Sequence, residues 1–169
     1  MTNVIKVSDR ALHWLGQRNF LIFSFVCLLF SFLFTAIPYY LLVLIGINVD
    51  EDTSLLVKTS IEEGNLLLSF FSSCIGVPII ETFIFQSLPM FLIGRYISKK
   101  SCWKVIGSAI LFGAAHYFNV SYMIIAFSMG LVFAYSIVLY EKHHNIVEAT
   151  LVVMFVHGLR NGIALLANI

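Results

Sequence analysis

The sequence predicts an all-α fold: a polytopic transmembrane helical bundle of about five spans, preceded by an N-terminal interfacial helix. Three observations carry this expectation. Of the 169 residues, 60% are hydrophobic and only 11% are charged, whereas a soluble domain usually devotes about a quarter of its residues to charge. The mean hydropathy is +0.95. Apolar runs recur along the chain, and about 20 apolar residues suffice for a helix to cross the hydrocarbon core. The length fits one membrane domain, residues 1–169.

The elements follow in order. Within residues 4–15, Val4, Val7, Ala11, Leu12 and Leu15 fall at helical spacing opposite Lys6, Asp9 and Arg10. That is the pattern of a short helix lying on a membrane surface, with Trp14 near the headgroups. The apolar run from Phe20 to about Ile47 is too long for a signal-peptide core and lacks a small-residue cleavage site. It reads as one long span, tilted or kinked at Pro38. Residues 50–63 form an acidic loop containing Asp50, Glu51, Asp52, Glu62 and Glu63. A second run, Leu66 to Ile93, ends in the cations Arg95, Lys99, Lys100 and Lys104. A third run extends from about Val105 to His116, and Asn119 and Ser121 mark a turn. A fourth covers about Tyr122 to Tyr140, and a fifth starts near Ile146.

Charge orients the spans. With the N-terminus in the cytoplasm, Lys6, Arg10, Arg18, Arg95, Lys99, Lys100, Lys104 and Lys142 all lie inside and only Lys58 lies outside. The positive-inside rule therefore predicts a multi-pass cell-membrane protein with a cytoplasmic N-terminus. Its expected surroundings are the lipid bilayer and a peptide or membrane-protein substrate, with no nucleic acid. Cys27, Cys74 and Cys102 lack CxxC spacing and read as packing residues. His143 and His144 fall in a polar loop and are expected to be solvated.

Against this background, Glu81, His116, His157 and Asn161 stand out. An ionisable group at mid-membrane costs about 2.5 kcal/mol or more. At about 1.5 Å rise per residue, Glu81 and His116 lie roughly 20 Å from the cytoplasmic ends of their spans and His157 roughly 15 Å. Three helices thus bring an acid or an imidazole to similar depth, which points to a shared site. Phe112 and His116 share a helix face, as do His157 and Asn161. Gly158 and Gly162 form a GxxxG pattern that allows another helix close approach. Pro78 would open the backbone beside Glu81, or merely kink the helix. Structural readings compete: each histidine as a hydrogen-bond partner of a neighbouring helix, and Glu81 as the structural ion-pair partner of Arg160.

The segments Pro78-Ile79-Ile80-Glu81, Phe112-Gly113-Ala114-Ala115-His116 and His157-Gly158-Leu159-Arg160-Asn161 resemble, in that order, the motifs of the CAAX-protease and bacteriocin-processing family of intramembrane proteases. The resemblance covers about residues 65–169. Its first motif is Glu-Glu-x-x-x-Arg, and here Thr82 and Gln86 stand where the second glutamate and the arginine are expected. Joint loss of a paired acid and base leaves no buried unpaired charge. The resemblance implies an intramembrane endopeptidase, with Glu81 and His116 activating a water and His157 and Asn161 stabilising the oxyanion. In a metal version of the same chemistry, His116, His157 and Glu81 would ligate zinc; no other cofactor is expected. The alternative is a catalytically impaired relative that acts as a membrane-binding or bacteriocin-immunity protein. A small transporter ranks third, because no inverted repeat is evident. The family and the compact span pattern suggest a bacterial inner membrane.

Overall fold

The computed structural model describes residues 10–47, 49, 66–117 and 119–167. The acidic loop and the first half of the expected interfacial helix lie outside this set. The described residues are helical and contain no strand, as the composition requires. Residues 10–16 form a short helix, α1. Helix α2 spans Phe20–Leu44, with Pro38 inside it. Helix α3 runs from Leu66 to Tyr96, α4 is Ser101–Ala114, α5 is Val120–Glu141 and α6 is Ile146–Leu166. Asparagine caps three of these starts: the side chains of Asn19, Asn119 and Asn145 accept from the backbone N–H groups of Ile22, Tyr122 and Glu148. An N-cap of this kind satisfies a donor that the first helical turn leaves open.

Four helices, α2, α3, α5 and α6, are long and apolar enough to cross a membrane. The expected third span is not one of them. Its helix, α4, has 14 residues and covers about 21 Å. It stops because residues 115–117 turn, which leaves His116 beyond the helix end rather than within it.

Helix α5 is the hub and packs against α2, α3, α4 and α6. Phe133, Ile137 and Ala134 of α5 are fully buried with Phe112 of α4 and Val152, Val153 and Val156 of α6. The outer surface is apolar instead: Leu21, Phe25, Leu33, Leu41, Phe83, Phe91 and Leu151 are all exposed. Helix α2 shows this inversion plainly. Its buried face carries Ser24, Cys27, Ser31 and Thr35, while its phenylalanines and leucines mostly face outward. Lipid rewards apolar surfaces outside and small polar contacts between helices.

Helix α3 alternates between helical registers. Ser72–Gly76 and Thr82–Ser87 are π-helical, and the segments between and after them are α-helical. Each π-turn lies just ahead of a proline, Pro78 or Pro89. A proline supplies no N–H and collides with the carbonyl four residues earlier. Those carbonyls belong to Cys74 and Phe85. The hydroxyl of Ser108 on α4 donates to the Phe85 carbonyl at 3.1 Å, the kind of re-satisfaction that lets membrane helices keep proline. At the other end of the bundle, His143 and His144 are not simply solvated. His143 meets the ring of His13 on α1 edge-on at 4.6 Å, and His144 stacks on Tyr140 at 3.9 Å and approaches Glu148 at 3.2 Å. The α5–α6 turn therefore holds α1 down.

Candidate active site

Glu81 closes the α-helical turn between the two π-turns of α3. A π-turn widens the helix and re-aims the side chains beside it, which is why such turns gather at functional sites. Here Thr82 and Gln86 are turned fully inward, while Glu81 keeps about a quarter of its side chain exposed. The Oε2 atom of Glu81 lies 3.7 Å from Nε2 of His157 on α6. On the far side of the same ring, Nδ1 of His157 is 3.3 Å from the hydroxyl of Thr82. The imidazole of His157 is thus held edge to edge between two consecutive residues of α3.

His116 reaches the same region from the end of α4. Its Nδ1 is 2.8 Å from the carbonyl oxygen of Phe112. A carbonyl only accepts, so Nδ1 carries the proton and Nε2 is left as an acceptor. The Phe112 ring links the two histidines, 5.2 Å from His116 and 5.7 Å from His157 by ring centroids. Phe133 backs His157 at 5.1 Å, and Tyr122 meets His116 edge-on at 4.9 Å. His116, Phe133 of α5 and His157 of α6 therefore surround one aromatic wedge, Phe112.

Asn161 is directed elsewhere first. Its Nδ2 donates to the Ser73 carbonyl, 2.8 Å away in the first π-turn of α3. An amide NH₂ carries two donors, so this bond leaves one. Close approach of α6 makes the contact possible: a methyl added at Gly158 would collide with the Cys74 carbonyl oxygen. Arg160, read from sequence as a possible partner for Glu81, binds α2 instead. It donates to Ser31 at 3.1 Å and Thr35 at 2.9 Å, and lies over the Phe32 ring at 4.5 Å. Sequence reasoning missed Ser31 and Thr35. Their signal was present as small polar residues recurring on one face of an otherwise apolar span.

Where the family motif carries a second glutamate and an arginine, Thr82 and Gln86 form neutral contacts. Gln86 is fully buried and accepts from the Ser108 hydroxyl at 2.6 Å. Of the expected zinc set of His116, His157 and Glu81, one pair is close: Nε2 of His157 and Oε2 of Glu81 at 3.7 Å. Among the described residues no three His, Cys, Asp or Glu side chains converge as metal ligands.

A family model described as type II CAAX prenyl endopeptidase, Rce1-like, matches residues 63–163, more than half of the chain. The chain belongs to this family. No curated protein and no solved structure matches it. The matched stretch contains all three motifs and the whole of the cluster around Phe112. At family level, then, this membrane protein is a CAAX-type protease, and α2 is an element outside the matched region that anchors α6 through Arg160.

Proposed function

We propose that the chain is an active intramembrane endopeptidase that hydrolyses a peptide bond of a membrane-associated protein or peptide. The observation that carries this reading is the polarity of the two imidazoles around Phe112. His116 offers a lone pair at Nε2, because its proton is on Nδ1. His157 offers a proton at Nε2: a carboxylate oxygen 3.7 Å away favours an N–H over a lone pair, so the Thr82 hydroxyl donates to Nδ1. A base and a donor on either side of one wedge are what peptide hydrolysis needs.

In the proposed sequence, Glu81 and His116 take a proton from a water as its oxygen bonds to the scissile carbonyl carbon. The carbonyl π electrons move to oxygen. The resulting oxyanion accepts from Nε2–H of His157 and from the second N–H of Asn161. Collapse of the tetrahedral intermediate breaks the C–N bond, and the proton held by Glu81 and His116 passes to the leaving amine. No step of this sequence is routed through a metal.

The decisive measurement is cleavage of a prenylated CAAX peptide by the purified chain, beside Glu81→Gln and His116→Ala. Loss of the proton acceptor is expected to slow cleavage by about 10²–10⁴-fold in each variant, with folding unchanged. Activity equal to wild type in both would overturn the assignment. A chelator is expected to leave the wild-type rate unchanged; a chelator-sensitive rate restored by zinc would replace this mechanism with a metal-based one.

A further inference from the structure

A second polar cleft, of about 410 Å³, opens at the end of the bundle where α3 and α5 finish and α4 and α6 begin. Arg95, Lys99 and Lys104 line it together with Met90, Phe91 and Ile146. The three cations come from different elements: the last turn of α3, the α3–α4 connection and the first turns of α4. Among the described residues none of them pairs with a carboxylate. Glu141 lines the same cleft and still makes no ion pair with any of the three.

Two features concentrate positive charge there. Gly94 lets the Lys104 stem lie directly on α3, since a methyl at Gly94 would come within 2.9 Å of Lys104 Cε. The start of α4 adds to the field: its N-cap, Lys100, makes no side-chain capping bond, so a helix start with open N–H groups and the positive end of the peptide dipole faces this region. Cations at a helix N-terminus are the reverse of the usual stabilising arrangement. They become favourable once an anion sits between them.

We propose that this cleft binds the phosphate headgroup of an anionic phospholipid, with the acyl chains running along Phe91 and the outer face of α3. The lining suits an amphiphile: three cations share the cleft with the apolar Met90, Phe91 and Ile146, and Leu88 and Leu92, on the same helix as Phe91, are exposed. Basic pockets between transmembrane helices recognise anionic headgroups in this way. Glu141 narrows the choice, because a carboxylate beside the phosphate disfavours a bare phosphomonoester and accepts hydrogen bonds from headgroup hydroxyls. A glycerol headgroup, as in phosphatidylglycerol, satisfies both conditions.

The test uses the full chain in neutral detergent, titrated with dansyl-labelled phosphatidylglycerol or phosphatidylcholine and read by energy transfer from tryptophan. Phosphatidylglycerol is expected to bind at least about tenfold tighter, and the double variant Lys99→Gln/Lys104→Gln to lose roughly fivefold per cation, equivalent to about 1 kcal/mol each. The double variant Arg10→Gln/Lys142→Gln, with the same net charge, is expected to bind like wild type. Should the first pair fold poorly, Lys99→Gln alone carries the same test at roughly fivefold. Equal binding of the two lipids, equal loss in the control pair, or wild-type binding by the site variants would each overturn the proposal. Competition by inorganic phosphate as effective as by phosphatidylglycerol would overturn it too, by showing a free-anion site that makes no use of the apolar lining.

Discussion

At the scale of single residues, Thr82 is the position that most changes how the site is read. A glutamate there would accept from Nδ1 of His157; a threonine hydroxyl can donate to it. The 3.3 Å contact therefore gives a residue absent from the family motif a definable task in the proposed mechanism, which is to donate to Nδ1 while Nε2–H faces Glu81. Thr82→Val keeps the shape and removes the hydroxyl. It is expected to lower kcat by about tenfold or more, while Thr82→Ser retains activity and both variants keep the wild-type unfolding temperature within a few degrees. A structural hydroxyl would instead move stability and leave kcat alone. The motif residues themselves were legible from sequence, because ionisable groups in apolar spans are costly enough to be conspicuous. Their partners were not. Nothing in the spacing of Ser73, Thr82 or Ser31 says which helix will lie opposite.

At the scale of elements, helix α3 shows how two prolines become a site. Each proline is preceded by a π-turn that contains the carbonyl four residues before it, so Glu81 sits on a short α-helical segment between two widened ones. Sequence reading noted Pro78 and passed over Pro89, since a proline in a membrane helix signals a kink more readily than a register change. The approach of α6 depends on this irregularity. Gly158→Ala would drive a methyl into the Cys74 carbonyl, which is backbone and cannot rotate away, and is expected to cost about 1–3 kcal/mol. Gly162→Ala would meet only the Cys74 sulfur at 3.6 Å and is expected to be nearly neutral. Thermal unfolding of both variants in detergent checks the contrast, and equal stability would show that α6 docks without Gly158. The two glycines of one GxxxG pattern thus have unequal work, a distinction that spacing alone does not contain.

For the whole molecule, the fold class was legible because lipid imposes it: long apolar runs have few options other than helices. The number of full spans was not, since α4 is ended by the turn at residues 115–117 and not by loss of hydrophobicity. The bundle is organised with packing inside and lipid contact outside, so two phenylalanines of equal size should respond differently. Phe133, fully buried on the hub helix, is expected to cost about 3–5 kcal/mol when replaced by alanine. Phe25, 61% exposed on α2, is expected to change stability by less than about 1 kcal/mol in lipid, where its neighbours are as apolar in either state. Unfolding measured in bicelles would separate the two, and a large loss at Phe25 would mean that this face is covered by protein.

The shortness of α4 also bears on supply. Its 14 residues leave about 9 Å of a 30 Å hydrocarbon layer unspanned. A bilayer answers such a deficit by thinning, and headgroups and solvent follow the dip inward. Thinning on that side would bring water toward His116, which lies in the turn at the end of the helix. The proposed hydrolysis consumes one water per bond, and this turn is where the short helix would admit it.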